Sequence, residues 1–464
     1  MKFLDLHIYD QLFSPRNRWW FSEYVDRGGE YSWDGTPEMK VMLLSLSRTR
    51  ISLDEEEKWN IKILELEMEL LPVLVRMQQE GITLDRGKLQ DIGNRLDEAI
   101  RNIETEVREL VWEWVNLASP KQIVELFLRL SIPLTKKNKT GYSVDTDVLE
   151  FLAPKHDIAR LILEHRSLSK LRSTYIDALL SAVDRNTSKL HTHYNQIWAA
   201  TGRMSSENPN LQNIPTGWWY AMEIKSCFLP SRWNILIVAD YSQIELRILA
   251  ILSRDPALTE TFINGEDIHA RTARFLFWET THITSEMRRI AKTVNFWVIY
   301  GITGFWLAKS LGTSPREATE YIENFFRQYQ AVRPYYDSLL ENARKSGYVE
   351  TYFGRRRMIP TLTDANRMVR AAAEREAINM PIQGTAADML KYAMIEIDRV
   401  QETEGLNGKM LLQIHDELVF DVPESEEGRF TEIIREKMER PFSESPIPIR
   451  VDIHSGKNWA EAKG

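Results

Sequence analysis

Two apolar runs constrain this chain more than any other feature: NILIVAD at 234–240 and MLLQIHDELVFDV at 410–422. The first is continuously apolar and ends on a carboxylate, as a buried central strand does. The second has two apolar stretches flanking a His-Asp turn, the pattern of a hairpin with its carboxylate at the tip. Asp240 and Asp416 thus each close a strand, which holds a carboxylate rigidly. Taken singly, an aspartate after a strand is usually a cap or a surface charge. As a pair on rigid strand ends, the two fit the bridging ligands of a two-metal site.

A helix between these runs sharpens that reading. In RRIAKTVNFWVIYG (288–301), Arg288, Lys292, Phe296 and Tyr300 recur every fourth position. Each step rises about 6 Å on one face of a helix. Thr284 or Ser285 suits its cap and Glu286 its first turn. The stripe runs cation, cation, ring, ring, and a nucleoside triphosphate laid alongside runs phosphates, sugar, base. An amphipathic helix with two surface cations explains the charges but not that order. Phosphoryl transfer asks for positioning and charge neutralisation rather than covalent help. Two ions about 3.5–4 Å apart supply this. Magnesium is often held by one or two carboxylates plus the substrate's own phosphates. Glu417 lies beside Asp416 as an auxiliary carboxylate, and Lys292 can protonate departing pyrophosphate.

The rest of the composition permits this chemistry without pointing to it. The 464 residues leave room for about three ordinary domains. A net charge of −8 does not mark the whole chain as a nucleic-acid binder. A local basic groove suffices for binding, however. Basic clusters occur at Lys136, Lys137 and Lys139 and at Arg355, Arg356 and Arg357. Either is more often a solvated face than a patch. The lone Cys227 allows no disulfide within the chain. The start, MKFLDLHIYD, lacks a signal-peptide pattern, and no stretch has the apolar length of a membrane span. We expect a protein of the cytoplasm, or of the equivalent compartment of an infected cell, with no membrane contact.

Residues 1–60 give no clear pattern. From residue 54 the texture is helical, with Ile61, Leu64, Met68, Leu71 and Val75 forming one apolar stripe. Helices are expected near 86–117, 120–130, 146–152 and 156–183, with KKNKTG at 136–141 as a basic loop. The helix after Asp240 has Ile244, Ile248, Ile251 and Leu252 on one side, and a long helix starts at 375.

These motifs resemble those of family A DNA polymerases, the bacterial DNA polymerase I type. DYSQIELR, RRxxKxxNFxxxYG and HDELVF correspond to that family's motifs A, B and C. The likeness extends to TGRMSSENPNLQNIP (201–215), GEDIHARTA (265–273), REAINMPIQGTAAD (375–388) and GKNWA (456–460). It covers most of the chain from Ile61 onward. The resemblance implies an α+β fold of right-hand polymerase architecture, with a mostly antiparallel palm sheet, helical fingers and a helical thumb. The implied boundaries are thumb 61–190, palm 191–258 and 375–464, and fingers 259–374, after a segment 1–60 of unknown role.

Carried over by motif, Asp240 and Asp416 would bind two Mg2+ ions, for which Mn2+ can substitute. The Tyr241 carbonyl would be a further ligand. Glu245 would be a steric gate against a ribose 2′-hydroxyl. Gln243, His269, Arg288, Lys292, Phe296 and Tyr300 would contact the incoming nucleotide or its partner. Arg203, Arg375, Asn379, Gln383 and His415 would contact primer or template, partly in the minor groove. Acceptors there are shared by all base pairs, so such contacts check shape without reading sequence. The implied partners are primer-template DNA, deoxynucleoside triphosphates and replication accessory proteins, and the implied state is a monomer.

Two departures bear on function. Full-length relatives place a proofreading exonuclease before the thumb. Here 60 residues precede it without an acidic DxE strand, so no proofreading is expected. Such a short form suggests a phage or mobile-element replicase, and a piece of a longer protein would read the same. The family also usually has glycine where this chain has Trp297. An indole there would crowd the nascent base pair or repack the helix, and we expect the former because that edge lies beside Phe296. Two rival readings remain: a single-subunit RNA polymerase, opposed by Glu245 and the Asn295-Phe296 pair, and a catalytically silent DNA-binding scaffold, opposed by intact Asp240, Lys292 and Asp416.

Overall fold

The computed structural model of the chain describes residues 61–463, apart from 135, 140, 197, 215–218, 279–281 and 443–444. The expectations for residues 1–60 lie outside that range. The described chain forms two compact units. One takes in residues 61–80, 194–207 and 233–455, and the other residues 81–193, 208–232 and 456–463.

The first unit is built on a four-stranded sheet. Its strands are β1 (Asn234–Tyr241), β2 (Lys409–Ile414), β3 (Glu417–Pro423) and β4 (Val451–Gly456), in the spatial order β2-β3-β1-β4. β3 runs antiparallel to both neighbours, pairing Val419 with Leu412 on one side and with Val238 on the other. Leu236 to Ala239 and Glu417 to Val422 are all buried. Consecutive buried residues mean that both sheet faces are covered. The cover includes the helices α1 (Ile61–Glu80), against β2, and Glu427–Glu439, against β1 and β3. Phe420 meets Phe430 edge-on with centroids 5.5 Å apart. Each such side chain contributes about 1.5–3 kcal/mol on burial.

Residues between β1 and β2 form a helical body: α2 (Ile244–Ser253), α3 (Ile268–Phe277), α4 (Ser285–Ile299), further helices Gly304–Leu311, Pro315–Gln328 and Val332–Ser346, and the long α5 (Arg367–Glu404). Side-chain caps fix where several of these start. Asp267 accepts from the His269 and Ala270 amides, and Thr284 from Met287. Pro381 lies inside α5 without ending it. At Gly301 (φ 60°) the chain turns beside α5, so that a Cβ would meet the Arg375 and Ile378 side chains at 3.4 Å. Glycine tolerates both the turn and the approach.

The second unit holds the helices Arg86–Val111, Pro120–Arg129, Thr146–Leu152 and Asp157–Leu171, the last continuing through a π turn into Ala178–Ala182. A small sheet places Ile82–Leu84 between Lys189–Leu190 and Phe228–Leu229. Trp459 packs edge-on to Phe228 with centroids 5.2 Å apart.

Three details differ from the sequence reading. The core face of α1 is Ile63, Leu66, Leu70, Val73, Leu74 and Met77. Leu64, Met68, Leu71 and Val75, from the expected stripe, are only half-buried. α1 is apolar over more than one face, so spacing alone does not choose the buried one. It also packs with β2 and α5, in a different unit from residues 81–190, with which the sequence reading grouped it. In α2 the buried set is Ile244, Leu246, Arg247, Ile248, Leu249 and Ala250, so the helix is covered well beyond one side. Arg247 is satisfied there by donating to the Ser242 and Pro448 carbonyls.

Several residues of the basic clusters are paired within the chain. Lys136 bonds Asp145 at 2.6 Å, and Arg357 bonds Glu376 at 2.6 Å. Arg355 is buried, gripping Asp388 at 2.7 Å as well as Glu67, which Lys391 also bonds at 2.6 Å. Burial raises the Glu67 carboxyl, but the Lys391 and Arg355 charges outweigh it and hold it below the usual range. Among the described residues no helix is long and apolar enough to cross a membrane.

Candidate active site

The sheet brings the two aspartates to adjacent strand ends. Asp240 stands across from Glu417 in the β1–β3 register, and the Tyr241 amide donates to the Asp416 carbonyl at 3.2 Å. His415 makes the turn before Asp416 with φ 52°, and the Gln413 side chain steadies it by donating to the His415 carbonyl at 2.5 Å. Burial raises the Asp416 carboxyl above its usual range. Asp240 adds to that, and Arg203 and His415 offset part of it. Glu417 is buried directly opposite Asp240. The Tyr241 ring is buried, with its hydroxyl donating to the Met438 carbonyl at 2.9 Å.

Arg203 links this end of the sheet to α2. It bonds Glu245 at 2.7 Å and lies 3.8 Å from Asp416. Gln243 precedes α2 in left-handed backbone (φ 54°), which places Glu245 in the first turn. Burial raises the Glu245 carboxyl despite the Arg203 charge. Gln383, midway along α5, donates to the Tyr300 hydroxyl at 3.0 Å. Burial, then the Glu245 charge, raises the Tyr300 phenol. Arg375 and Asn379 precede Gln383 at helical spacing on α5. Arg375 is exposed, and the half-buried Asn379 has an amide nitrogen without a partner.

On α4 the expected stripe is present. Arg288 bonds Asp267 at 2.6 Å, Lys292 is exposed, and Phe296 is 49% exposed. The Phe296 and Tyr300 rings lie 4.8 Å apart, with Tyr300 capping the helix rather than lying within it. His269, in the first turn of α3, is buried beside Asn295 of α4, with its Nδ1 2.9 Å from the asparagine Nδ2. Burial pushes the His269 imidazole down to about 4. Asp267 opposes that shift, and Arg288 and Lys292 add to it. Trp297 is half-buried, with Nε1 donating to the Ser310 hydroxyl at 3.2 Å and its ring 6.2 Å from Tyr300 and 5.7 Å from Phe296. It therefore touches both the exposed aromatic stripe and the next helix.

Sequence reasoning missed three parts of this arrangement. Asp267, which the sequence offers only as part of GEDIHARTA, caps α3 and also holds Arg288. Asn295, singled out only beside Phe296, is fully buried against His269. Arg355 reads as surface charge but lies against Gly202, where a Cβ would come within 2.5 Å of its Nε. Among the described residues no group of three or more His, Cys, Asp or Glu side chains is arranged to hold a metal. Asp240 and Asp416 offer two carboxylates, and a substrate would have to complete the ligand set.

The sequence and fold match known proteins. The model of DNA polymerase family A matches residues 86–461. DNA polymerase I of Bacillus caldotenax is 44% identical over 405 residues, which is 86% of this chain and 46% of that protein. DNA polymerase I of Bacillus subtilis (strain 168) is 41% identical over 428 residues, 91% of this chain and 48% of that protein. The chain thus spans about half the length of these curated relatives. Among solved structures, the POL domain of Pol1 from M. smegmatis, in complex with DNA primer-template and dNTP, superposes with a TM-score of 0.82. It is 39% identical over 86% of this chain and 70% of that one.

Proposed function

The chain belongs to DNA polymerase family A, and we propose that it adds deoxynucleotides to a primer 3′-hydroxyl on a DNA template, releasing pyrophosphate. The observation that carries this reading is the pairing of Asp240 and Asp416 at adjacent strand ends, in one unit with the cation and ring stripe of α4. The donor set fits a pair of hard divalent cations: two carboxylates beside a backbone carbonyl, with the Asp416 carboxyl held up by burial and by its like-charged neighbour. Asp240, Asp416 and the Tyr241 carbonyl would hold magnesium. When bound, it supplies charge neutralisation at the phosphates and alignment of the attacking and leaving oxygens.

The chain's own residues do the rest. Arg288 and Lys292 bind the triphosphate, and Lys292 holds the proton that the departing pyrophosphate takes. Phe296 and Tyr300 place the sugar and base. Glu245, held by Arg203, fills the space a 2′-hydroxyl would need. Gln243 and His269 complete the nucleotide pocket. Arg203, Arg375, Asn379, Gln383 and His415 face primer and template. We assign residues 191–258 and 375–464, which hold the sheet, to a palm, residues 259–374 to fingers, and the helices between residues 81 and 190 to a thumb. The chain acts as a monomer in the cytoplasm.

Primer extension with the purified chain tests this. Extension of a DNA primer on a DNA template with deoxynucleotides and magnesium is expected, with ribonucleotides used poorly. Absence of extension, or equal use of ribonucleotides, overturns the reading.

A further inference from the structure

Asn295 is fully buried on α4, and its Oδ1 has no hydrogen-bond partner. A buried acceptor left unpaired is costly, and each instance calls for an explanation. The amide's other end supplies one. Nδ2 can only donate, and it faces His269 Nδ1 at 2.9 Å. With the amide so oriented, Nδ1 carries the lone pair, which leaves the ring proton on Nε2. The charged groups bearing on the ring are Asp267 at the start of α3 and Arg288 and Lys292 on α4. Burial and the two cations keep the ring neutral, so its tautomer is set by hydrogen bonding rather than by full protonation.

We propose that Asn295 is a positioning residue that fixes His269 in the Nε2–H tautomer, so that the imidazole donates a hydrogen bond to the nucleotide's phosphates. This rests on the proposed nucleotide site. The opposite tautomer would present a lone pair to an anionic oxygen. Neutrality matters as well, because the ring then contributes a directed donor without titrating at the enzyme's working pH.

The first test needs no activity. The full chain is labelled with 15N histidine, and the His269 signals are identified by their loss in His269→Gln. An unprotonated Nδ1 and a protonated Nε2 are expected. A proton on Nδ1 overturns the proposal. The second test uses Asn295→Asp, which is nearly isosteric. A carboxylate facing Nδ1 favours the charged ring and raises its pKa. Below that pKa both nitrogens are protonated and Nε2 still donates. Above it the remaining proton stays on Nδ1, facing the introduced carboxylate, and Nε2 turns acceptor. The deoxynucleotide KM of the variant should therefore rise with pH, by roughly ten- to a hundredfold, the scale of one hydrogen bond to a charged group. Wild-type KM should stay flat between about pH 6 and 8, above the ring's own titration. A merely structural or like-charge effect of Asn295→Asp would raise KM equally at every pH, and that result overturns the proposal. An unchanged nucleotide KM in His269→Gln would instead remove His269 from the nucleotide site, and the proposal with it, while leaving the wild-type tautomer measured.

Discussion

Gln383 donates to the Tyr300 hydroxyl at 3.0 Å, tying the middle of α5 to the residue that ends α4. Glu245 in turn bonds Arg203, and its charge adds to burial in raising the Tyr300 phenol. The ring expected beside the incoming base and the carboxylate expected beside its sugar are therefore coupled electrostatically. A change at either should be felt at the other.

Glu245→Ala is expected to admit ribonucleotides. It opens space and leaves Arg203 with Asp416 as its remaining acidic neighbour. Discrimination against ribonucleotides should fall by roughly 10–100-fold, the scale on which small steric differences are sensed in a pocket. Paired kcat/KM values for one ribo- and one deoxynucleotide would show it. Unchanged discrimination would place the gate elsewhere.

Asp240→Asn and Asp416→Asn should each lower single-turnover extension by at least about 10²–10³-fold, the scale of losing one transition-state electrostatic partner. Primer-template binding, followed by gel shift, should change little. Near-normal turnover in either variant would dismiss the paired-carboxylate assignment.

Asp267→Asn should lower the nucleotide KM several-fold at low salt. Asp267 bonds Arg288 at 2.6 Å, so a triphosphate must displace that carboxylate. The pair is solvent-exposed and worth about 0–1 kcal/mol, which sets the size of the effect. Asparagine still caps α3. A KM unchanged or raised in low salt would show that Asp267 does not compete.

Trp297→Gly should lower the melting temperature. It removes the hydrogen bond to Ser310 and part of the packing on the next helix. Glycine in a helix costs about 1 kcal/mol, and the packing loss should fall below the roughly 3–5 kcal/mol of a fully buried aromatic. Ser310→Ala should reproduce only the hydrogen-bond share, about 1 kcal/mol. Because the indole also meets Phe296 and Tyr300, the error spectrum of Trp297→Gly should shift as well. An unchanged spectrum with lowered stability would make Trp297 a packing residue alone.

The strand-end aspartates are legible in the sequence because two apolar runs each stop on a carboxylate, and the pair carries a meaning that either alone does not. The α4 stripe is legible because two cations and two rings fall at one spacing in one order. Burial of charge is not. Glu67 and Arg355 look like solvated residues until α1, α5 and the chain after Val349 meet and their charges cancel. The α1 face fails for a related reason, since Leu64 and Leu66 are equally apolar and only tertiary packing separates them. Asn295 carries no signal in isolation. Its role depends on His269, which reaches it from another helix.

The order of β1 and β3 along the chain bears on how the protein is made. A ribosome releases β1 first, then the whole helical insertion, and only later β3. The two strands pair along their full length, with Asn234 opposite Pro423 at one end and Asp240 opposite Glu417 at the other. Until β3 emerges, β1 is an apolar strand with an open edge, the kind of surface that invites pairing with another chain. Contacts so distant in sequence also form slowly. The helices of the insertion, rich in local contacts, are free to fold during that wait. The paired aspartates are therefore among the last features to assemble, and a nascent chain stalled before residue 417 would hold a folded α4 with no aspartate pair at the sheet.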